Sequence, residues 1–460
     1  MKKIYIVTAL CGFVIAFSMC NKSGAFPEDG YDDRLSGGSF TTLDASTQAF
    51  KQAIDGLSDR QQRVHTIGDG TFDQVFVAAP APHFGGLGPI FNNLSCINCH
   101  RNDGGGFPST GSSNSGMLLR ISIPGTDEHG GPLAAPGFGV QLQDQALLGT
   151  APEASVQISY TDLPVSYPDG TTITLRNPAY SLQNPYIALP AGYLLSPRLA
   201  PRLVGEGLLE NIPESTILSF IDAADQNGDG ITGKANYIYD SYTKRTEIGR
   251  FGLKANTPTL LLQVATAYQQ DMGVTSYAQP VESAFGQSQM NSIGNNDTEP
   301  ELVDSLLNYV TFYVQTLAVP ARRNVLDSVN KRGAVLFNQV NCSGCHRPTM
   351  QTGVNTAINL SSQRIHPYTD LLLHDMGDGL ADNRPDHLAT GNEWKTPALW
   401  GLGLLGKTNG GSAYFLHDGR ARTIEEAILW HDGEAARSRT QFMQLSKADR
   451  NALLQFLGSL

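Results

Sequence analysis

The sequence predicts a mainly α-helical protein of two domains with long loops and one small β-hairpin inserted in the N-terminal half. Three observations carry this. Apolar residues recur at helical spacing in Thr42 to Leu57, Pro213 to Ala224, Val303 to Leu317 and Lys331 to Val340. Ile90-Phe91-Asn92, ahead of Cys96-Ile97-Asn98-Cys99-His100, returns as Leu336-Phe337-Asn338 ahead of Cys342-Ser343-Gly344-Cys345-His346, an internal repeat. The 48 Gly and 25 Pro among 460 residues demand many turns. Val156 to Thr174 partly alternates apolar and polar residues around Asp169-Gly170, a hairpin signal.

Taken in order, the chain opens on an export pattern. Lys2 and Lys3 precede an apolar run from Ile4 to Phe17, shorter than the roughly 20 residues of a membrane span. Phe17-Ser18-Met19-Cys20 resembles a lipoprotein box, with Met19 bulkier than usual before the cysteine. Ser23-Gly24-Ala25 offers an ordinary cleavage site instead, and an uncleaved anchor is a third reading. Residues 1–25 are thus a signal, Phe26 to Ser39 a polar tether, 40–320 the N-terminal domain with insertions and 321–460 the C-terminal domain, divided near Pro320-Ala321-Arg322-Arg323. At the C-terminus, Ser446 and Asp449 make a capping-box-like start, and Leu453, Leu454, Leu457 and Leu460 follow at helical spacing. The net charge of −11 without a Lys/Arg run argues against nucleic acid as a partner. Membrane contact is expected only through a lipid on Cys20.

Two thiols three residues apart lie on one side of a helical turn. Cys96 with Cys99 and Cys342 with Cys345 can each add to the vinyl groups of one haem. His100 and His346 then reach iron as neutral imidazoles. The rival is a zinc site built from both cysteine pairs. The haem reading makes the chain a di-haem protein of two c-type cytochrome domains, with the C-terminal helix crossing the first helix of its domain. Apart from Cys11 and Cys20 in the signal region, no cysteine is left for a disulfide. Asp225-Gln226-Asn227-Gly228-Asp229-Gly230 matches the start of a calcium loop, with Asp225, Asn227, Asp229 and the Ile231 carbonyl as ligands. Asn236 stands where the closing Glu is expected, and a run of Asx turns is the alternative.

The chain resembles the di-haem oxidoreductase family, which is related to bacterial di-haem cytochrome c peroxidases. The resemblance runs from Phe84 to the C-terminus. It rests on Gly88-Pro89-Ile90-Phe91, Leu118-Leu119-Arg120, Gly207 to Pro213, Asp225 to Asn236, Gly249 to Ala255 and Asp271-Met272-Gly273. In the second half it rests on His374-Asp375-Met376-Gly377, Lys395-Thr396-Pro397, His417-Asp418-Gly419-Arg420 and Glu425-Glu426-Ala427-Ile428-Leu429-Trp430-His431. The resemblance implies that electrons from a redox partner protein enter through the C-terminal haem and hydrogen peroxide reacts at the N-terminal one.

It also implies site residues. His431 stands where the related peroxidases carry the distal ligand of the electron-storing haem, usually Met or Tyr; the alternatives are Met376 and His374. Asp271 stands where they carry an acid–base glutamate, and Gln263 where they carry a distal glutamine. Asp271 as a helix cap or turn residue is the bland alternative. For the first haem the leading expectation is an open sixth position, with His129 and Met117 as candidate switchable ligands. Arg420, Arg422, Glu425 and Glu426 read as structural charges, and Trp430 as core. The function expected is an exported oxidoreductase with peroxidase-like chemistry, periplasmic or lipid-anchored in a Gram-negative cell. The alternative is an electron-transfer cytochrome with no substrate of its own, and oxidation of a thiol or other sulfur compound is a third.

Overall fold

The computed structural model describes residues 32–81, 83–291, 300–355, 358 and 360–460. The signal, Cys11 and Cys20 lie outside the described residues. Helices begin where caps permit. The first, α1 (Asp59–Asp73), starts at a full capping box between Ser58 and Gln61. The second, α2 (Leu260–Met272), is capped by the Thr259 side chain and stops at Gly273, whose φ of 67° satisfies the last turn. Then come α3 (Asp304–Gln315), α4 (Ser328–Gln339) capped by Asp327, α5 (Ile424–Trp430) capped by Thr423, and α6 (Lys447–Leu457) capped by Ser446.

The expectation of a mainly α protein is wrong: 28% of the chain is helical and 19% is strand, in several small sheets. Among the described residues the widest sheet has three strands, with Met117–Ser122 between Gln141–Leu142 and Leu194–Leu199. The hairpin is larger than expected, pairing Ser155–Ser166 with Thr172–Gln183 along their full lengths. Gly- and Pro-rich stretches that look like loops form short ladders because backbone crossing buried surface must pair its N–H and C=O groups.

Thr42 to Leu57 is not a helix. Asp44 and Ser46 side chains accept backbone N–H groups in local turns. The segment pairs instead with the distant stretch just after α3: Ile54 N–H donates to the Thr316 carbonyl, and Ala318 N–H to that of Gln52. Ala49, Phe50 and Ile54 are buried all the same, so the apolar spacing reports burial and not helix. The expected Pro213 to Ala224 helix shrinks to Glu214–Leu218.

Residues 34–460 form one compact unit. A large apolar cluster mixes α1, α2 and α3 with Met350, Leu360, Ile365 and Trp400 from the second half. A second cluster is built on α4 and α6 and includes Tyr167 and Leu175 of the hairpin. The two helices cross at Gly333, where any Cβ would strike the Ala452 carbonyl and come within 2.5 Å of Phe456 Cβ. Arg450 of α6 ion-pairs with Asp169 at the hairpin tip, 2.5 Å away, and Tyr167 donates to Glu425 of α5 at 2.7 Å. The hairpin thus ties the N-terminal half to α5 and α6.

Candidate functional site

The first motif is one helical turn. Ser95 is extended, Cys96–Cys99 is helical, and His100 N–H donates to the Cys96 carbonyl at 2.9 Å. The turn brings Cys96, Cys99 and His100 to the wall of one cavity. His100 Nδ1 lies 2.7 Å from the Pro201 carbonyl oxygen. Donation there leaves the Nε2 lone pair for a metal. Burial holds this imidazole down to about 4, so the ring is neutral, as ligation requires.

The second motif repeats the arrangement. Asn341 adopts the left-handed conformation, Cys342–Gly344 makes a tight turn, and His346 N–H donates to the Cys342 carbonyl. His346 Nδ1 lies 2.9 Å from the Tyr368 carbonyl oxygen, and burial holds this ring too at about 4. All four cysteines are unpaired and face the same cavity, and burial keeps their thiols protonated, Cys99 and Cys342 rising to about 12. Among the described residues no cluster of metal-type ligands joins the two pairs, so the zinc reading has no site.

The cavity holds about 1070 Å³ and is lined by both motifs. On the second motif's side it is also lined by His431, just beyond α5, whose Nδ1 lies 2.7 Å from the Ala427 carbonyl oxygen. The bond again leaves Nε2 as the free nitrogen. Burial lowers His431 as it does His346, which favours the neutral ring in both, and both line the cavity. Met376 lines it as well. His374 is differently placed: Nε2 is 2.8 Å from Asp370 and Nδ1 is 2.7 Å from Glu434, so both nitrogens are taken. His374, Asp370 and Cys345 also group within 4.8 Å, but the carboxylates hold the ring as an imidazolium, raising it well above its ordinary range.

On the first motif's side α2 runs along the cavity and presents Gln263, Ala267, Gln270 and Asp271 to it. These positions share one helical stripe. Asp271 caps no helix start; it is the next-to-last residue of α2. Its carbonyl accepts the N–H groups of Asn92 at 2.7 Å and Asn93 at 3.2 Å, and Met272's accepts that of Gly88 at 2.9 Å. These bonds lock the segment leading into the first motif onto the end of α2. Burial pushes the Asp271 carboxyl up, opposed by a 2.7 Å hydrogen bond from Gln141 Nε2 and by the Arg120 charge. Met117 and His129 line the cavity too; Met117 is buried in a strand, and His129 stacks on Tyr239 at 3.7 Å.

A family model described as "Di-haem oxidoreductase, putative peroxidase" matches residues 31–460. The chain belongs to the di-haem oxidoreductase family. No curated protein and no solved structure matches it. Membership implies two haems, and the cavity of this family member fits them. It exceeds the roughly 300–1,000 Å³ typical of small-molecule sites. Each motif offers one outward imidazole and two thiols. Haem also carries propionate carboxylates, which need cations. Arg198 and Arg384 line the cavity, are almost wholly buried, and leave Nη2 and Nε respectively without a hydrogen-bond partner. Both are held by Asp386, at 3.6 and 3.4 Å, while Lys254 fixes Asp382 at 2.7 Å with its other protons on the Arg384 and Thr390 carbonyls.

These cations, and the stack of His417 on Trp394 at 3.8 Å, escape sequence reasoning. His417 belongs to a motif that marks the resemblance, a signal that could have singled it out. The charges read as structural are paired: Arg420 with Asp418 at 2.8 Å and Arg422 with Glu426 at 2.7 Å, while the Glu425 carboxylate accepts from Tyr167. In the candidate calcium loop, Asp225, Asn227 and Asp229 each accept a backbone N–H from the loop itself. Asn236 is turned away, donating to the Lys254 and Asp386 carbonyls and accepting from Leu388 N–H. The loop packs on the second motif: Asn341 Nδ2 donates to Asp229 at 3.2 Å, and a Cβ on Gly344 would overlap Ile231.

Proposed function

We propose that this chain is an exported di-haem c-type cytochrome that reduces peroxide at the first motif with electrons a redox partner protein delivers at the second. The observation that carries it is the asymmetry of the shared cavity. His431 presents a free imidazole nitrogen beside His346, whereas the first motif's side presents the carboxyl of Asp271 and the amide of Gln263. Cys96, Cys99, Cys342 and Cys345 would attach the haems, and His100 and His346 would hold their irons.

Bound haem supplies an iron centre where a peroxide O–O bond can be reduced. The chain does the rest. The Pro201 and Tyr368 carbonyls orient the two proximal rings. Asp271 takes the proton of the inner peroxide oxygen and gives it to the outer one. Gln263 orients the substrate from the same helix. His431 would hold the second haem's iron through Nε2, and a haem so held would be kept to electron transfer. Export, with lipidation at Cys20 or ordinary cleavage after Ala25, delivers the chain to the compartment where haem is attached.

Purified, reduced protein is expected to turn over hydrogen peroxide, and Asp271→Asn to slow it by roughly 10²–10⁴-fold, the usual worth of a positioned acid–base group. No turnover, with both irons six-coordinate by EPR, would overturn the proposal. Mass spectrometry of the mature chain reads both haem attachment and the processed N-terminus.

A further inference from the structure

Arg120 has no part in the mechanism above. It stands on the central strand of the three-stranded sheet, opposite Gln141 and Ser196, and lines the cavity on the side of Asp271. We propose that Arg120 is a second catalytic group, donating guanidinium hydrogen bonds to the oxygen that gains negative charge as the peroxide O–O bond breaks. The assignment rests on the peroxidase reading.

Three observations support it. First, Arg120 is held at one point only: Nη1 donates to Gln270 Oε1, the residue before Asp271 on α2. A guanidinium has five N–H donors, and among the described residues Gln270 is the one acceptor this guanidinium meets. Second, Arg120 and Asp271 act on each other's charge. Burial pulls the guanidinium down, and Asp271 works against this; burial pushes the carboxyl up, and Arg120 works against that. The cation therefore also favours the ionised carboxylate that can accept the first proton. Third, Arg120 differs from its cationic neighbours. Arg198 and Arg384 are bound to Asp382 or Asp386 within 3.7 Å, whereas among the described residues no ion pair within 4.0 Å engages Arg120. The charged groups facing it are Asp271, Asp386, Arg384 and Arg198.

The reaction is H2O2 + 2 H⁺ + 2 e⁻ → 2 H2O. The O–O bond breaks and its electron pair leaves with the outer oxygen. That oxygen, carrying the proton moved by Asp271, departs as water. Two electrons from the redox partner and two protons reduce the inner oxygen to the second water. Negative charge appears on the outer oxygen while its bond to the inner one lengthens, and a preorganised cation in a water-poor cavity stabilises it most at that moment.

Fluoride titration of the ferric, haem-loaded protein tests this, because a bound anion accepts hydrogen bonds from the same donors. Arg120→Gln is expected to weaken fluoride binding by about 10–100-fold, as for loss of a charge-assisted hydrogen bond, and Arg120→Lys to recover part of it. Equal fluoride affinity in wild type and a folded Arg120→Gln overturns the assignment. The carbon monoxide adduct of the reduced wild type reads the same point without a variant. A C–O stretch lowered from the value for an apolar pocket supports a cationic donor, and an unlowered one overturns it. Wild-type protein that binds neither fluoride nor carbon monoxide sinks the peroxidase reading itself, and the two failures are thereby told apart.

Discussion

The backbone contact between Gly88 and Gly273 fixes Asp271 against the first motif, and alanine substitutions can take it apart quantitatively. Gly273 ends α2 at φ 67°, and a Cβ there would lie 2.7 Å from Gly88 Cα and 2.6 Å from Glu282 Oε1. A Cβ on Gly88 would lie 2.9 Å from Gly273 Cα and 2.6 Å from the same Glu282 oxygen, but Gly88 carries no left-handed strain. Gly56 is the converse control, with φ 83° and nothing within 4 Å. Left-handed strain alone costs about 1–2 kcal/mol for a residue with a Cβ. Overpacking alone costs about 1–3 kcal/mol. Gly56→Ala should therefore lose about 1 kcal/mol, Gly88→Ala about 2, and Gly273→Ala about 3. Denaturant unfolding of the haem-loaded protein, followed by haem absorption, measures all three. Because Asn92 and Gly88 hydrogen-bond to Asp271 and Met272, the two contact variants should also slow peroxide turnover by roughly 10²-fold, while Gly56→Ala should not. A Gly273→Ala variant no less stable than Gly56→Ala, with unchanged turnover, would refute the reasoning.

Other outcomes follow from the same structure. Asp103 is fully buried near Lys51 and Tyr313, and burial pushes its carboxyl to about 7. Its folded pKa is raised, so it contributes stability that is present below pH 4 and lost as the pH climbs through 7. Asp103→Asn should thus gain on wild type between pH 5 and pH 8 in denaturant midpoints; a constant difference would contradict this. His431→Ala should turn the second haem from low spin to high spin in EPR without altering the first, and an unchanged spectrum would remove His431 as its ligand. In the Asp225–Ile231 loop the Asp225, Asn227 and Asp229 oxygens that accept loop N–H groups keep further lone pairs for a cation, so a calcium-reversible fall in unfolding temperature on dialysis against a chelator would place calcium there, and a shift below about 1 °C would leave only Asx turns.

Local chemistry was legible wherever it was local in the chain. Cys96, Cys99 and His100 need only one turn to converge, and the same holds for Cys342, Cys345 and His346. The hairpin at Asp169-Gly170, the Ser446 cap and the apolar face of α6 are equally short-range and were readable. The helix after Ser58 was missed although its capping box with Gln61 was a readable signal, because its face is largely polar. Thr42 to Leu57 failed for the opposite reason: apolar spacing says that residues are buried, and the distant stretch just after α3, not a helix, supplied the partners.

By itself, then, the sequence determined the family and with it two haems, and it set two thiols and a histidine together in each motif, because these depend on residues a few positions apart. Only the tertiary structure decided which groups meet around the shared cavity. Asp271 reaches the first motif through backbone bonds from Asn92 and Gly88 across some 180 residues of chain. His374 was withdrawn as a ligand by Asp370 and Glu434. The half-buried Arg120 and the buried Arg198 and Arg384 could not be told from surface charges, since a cation's worth depends on burial and on partners that only folding supplies.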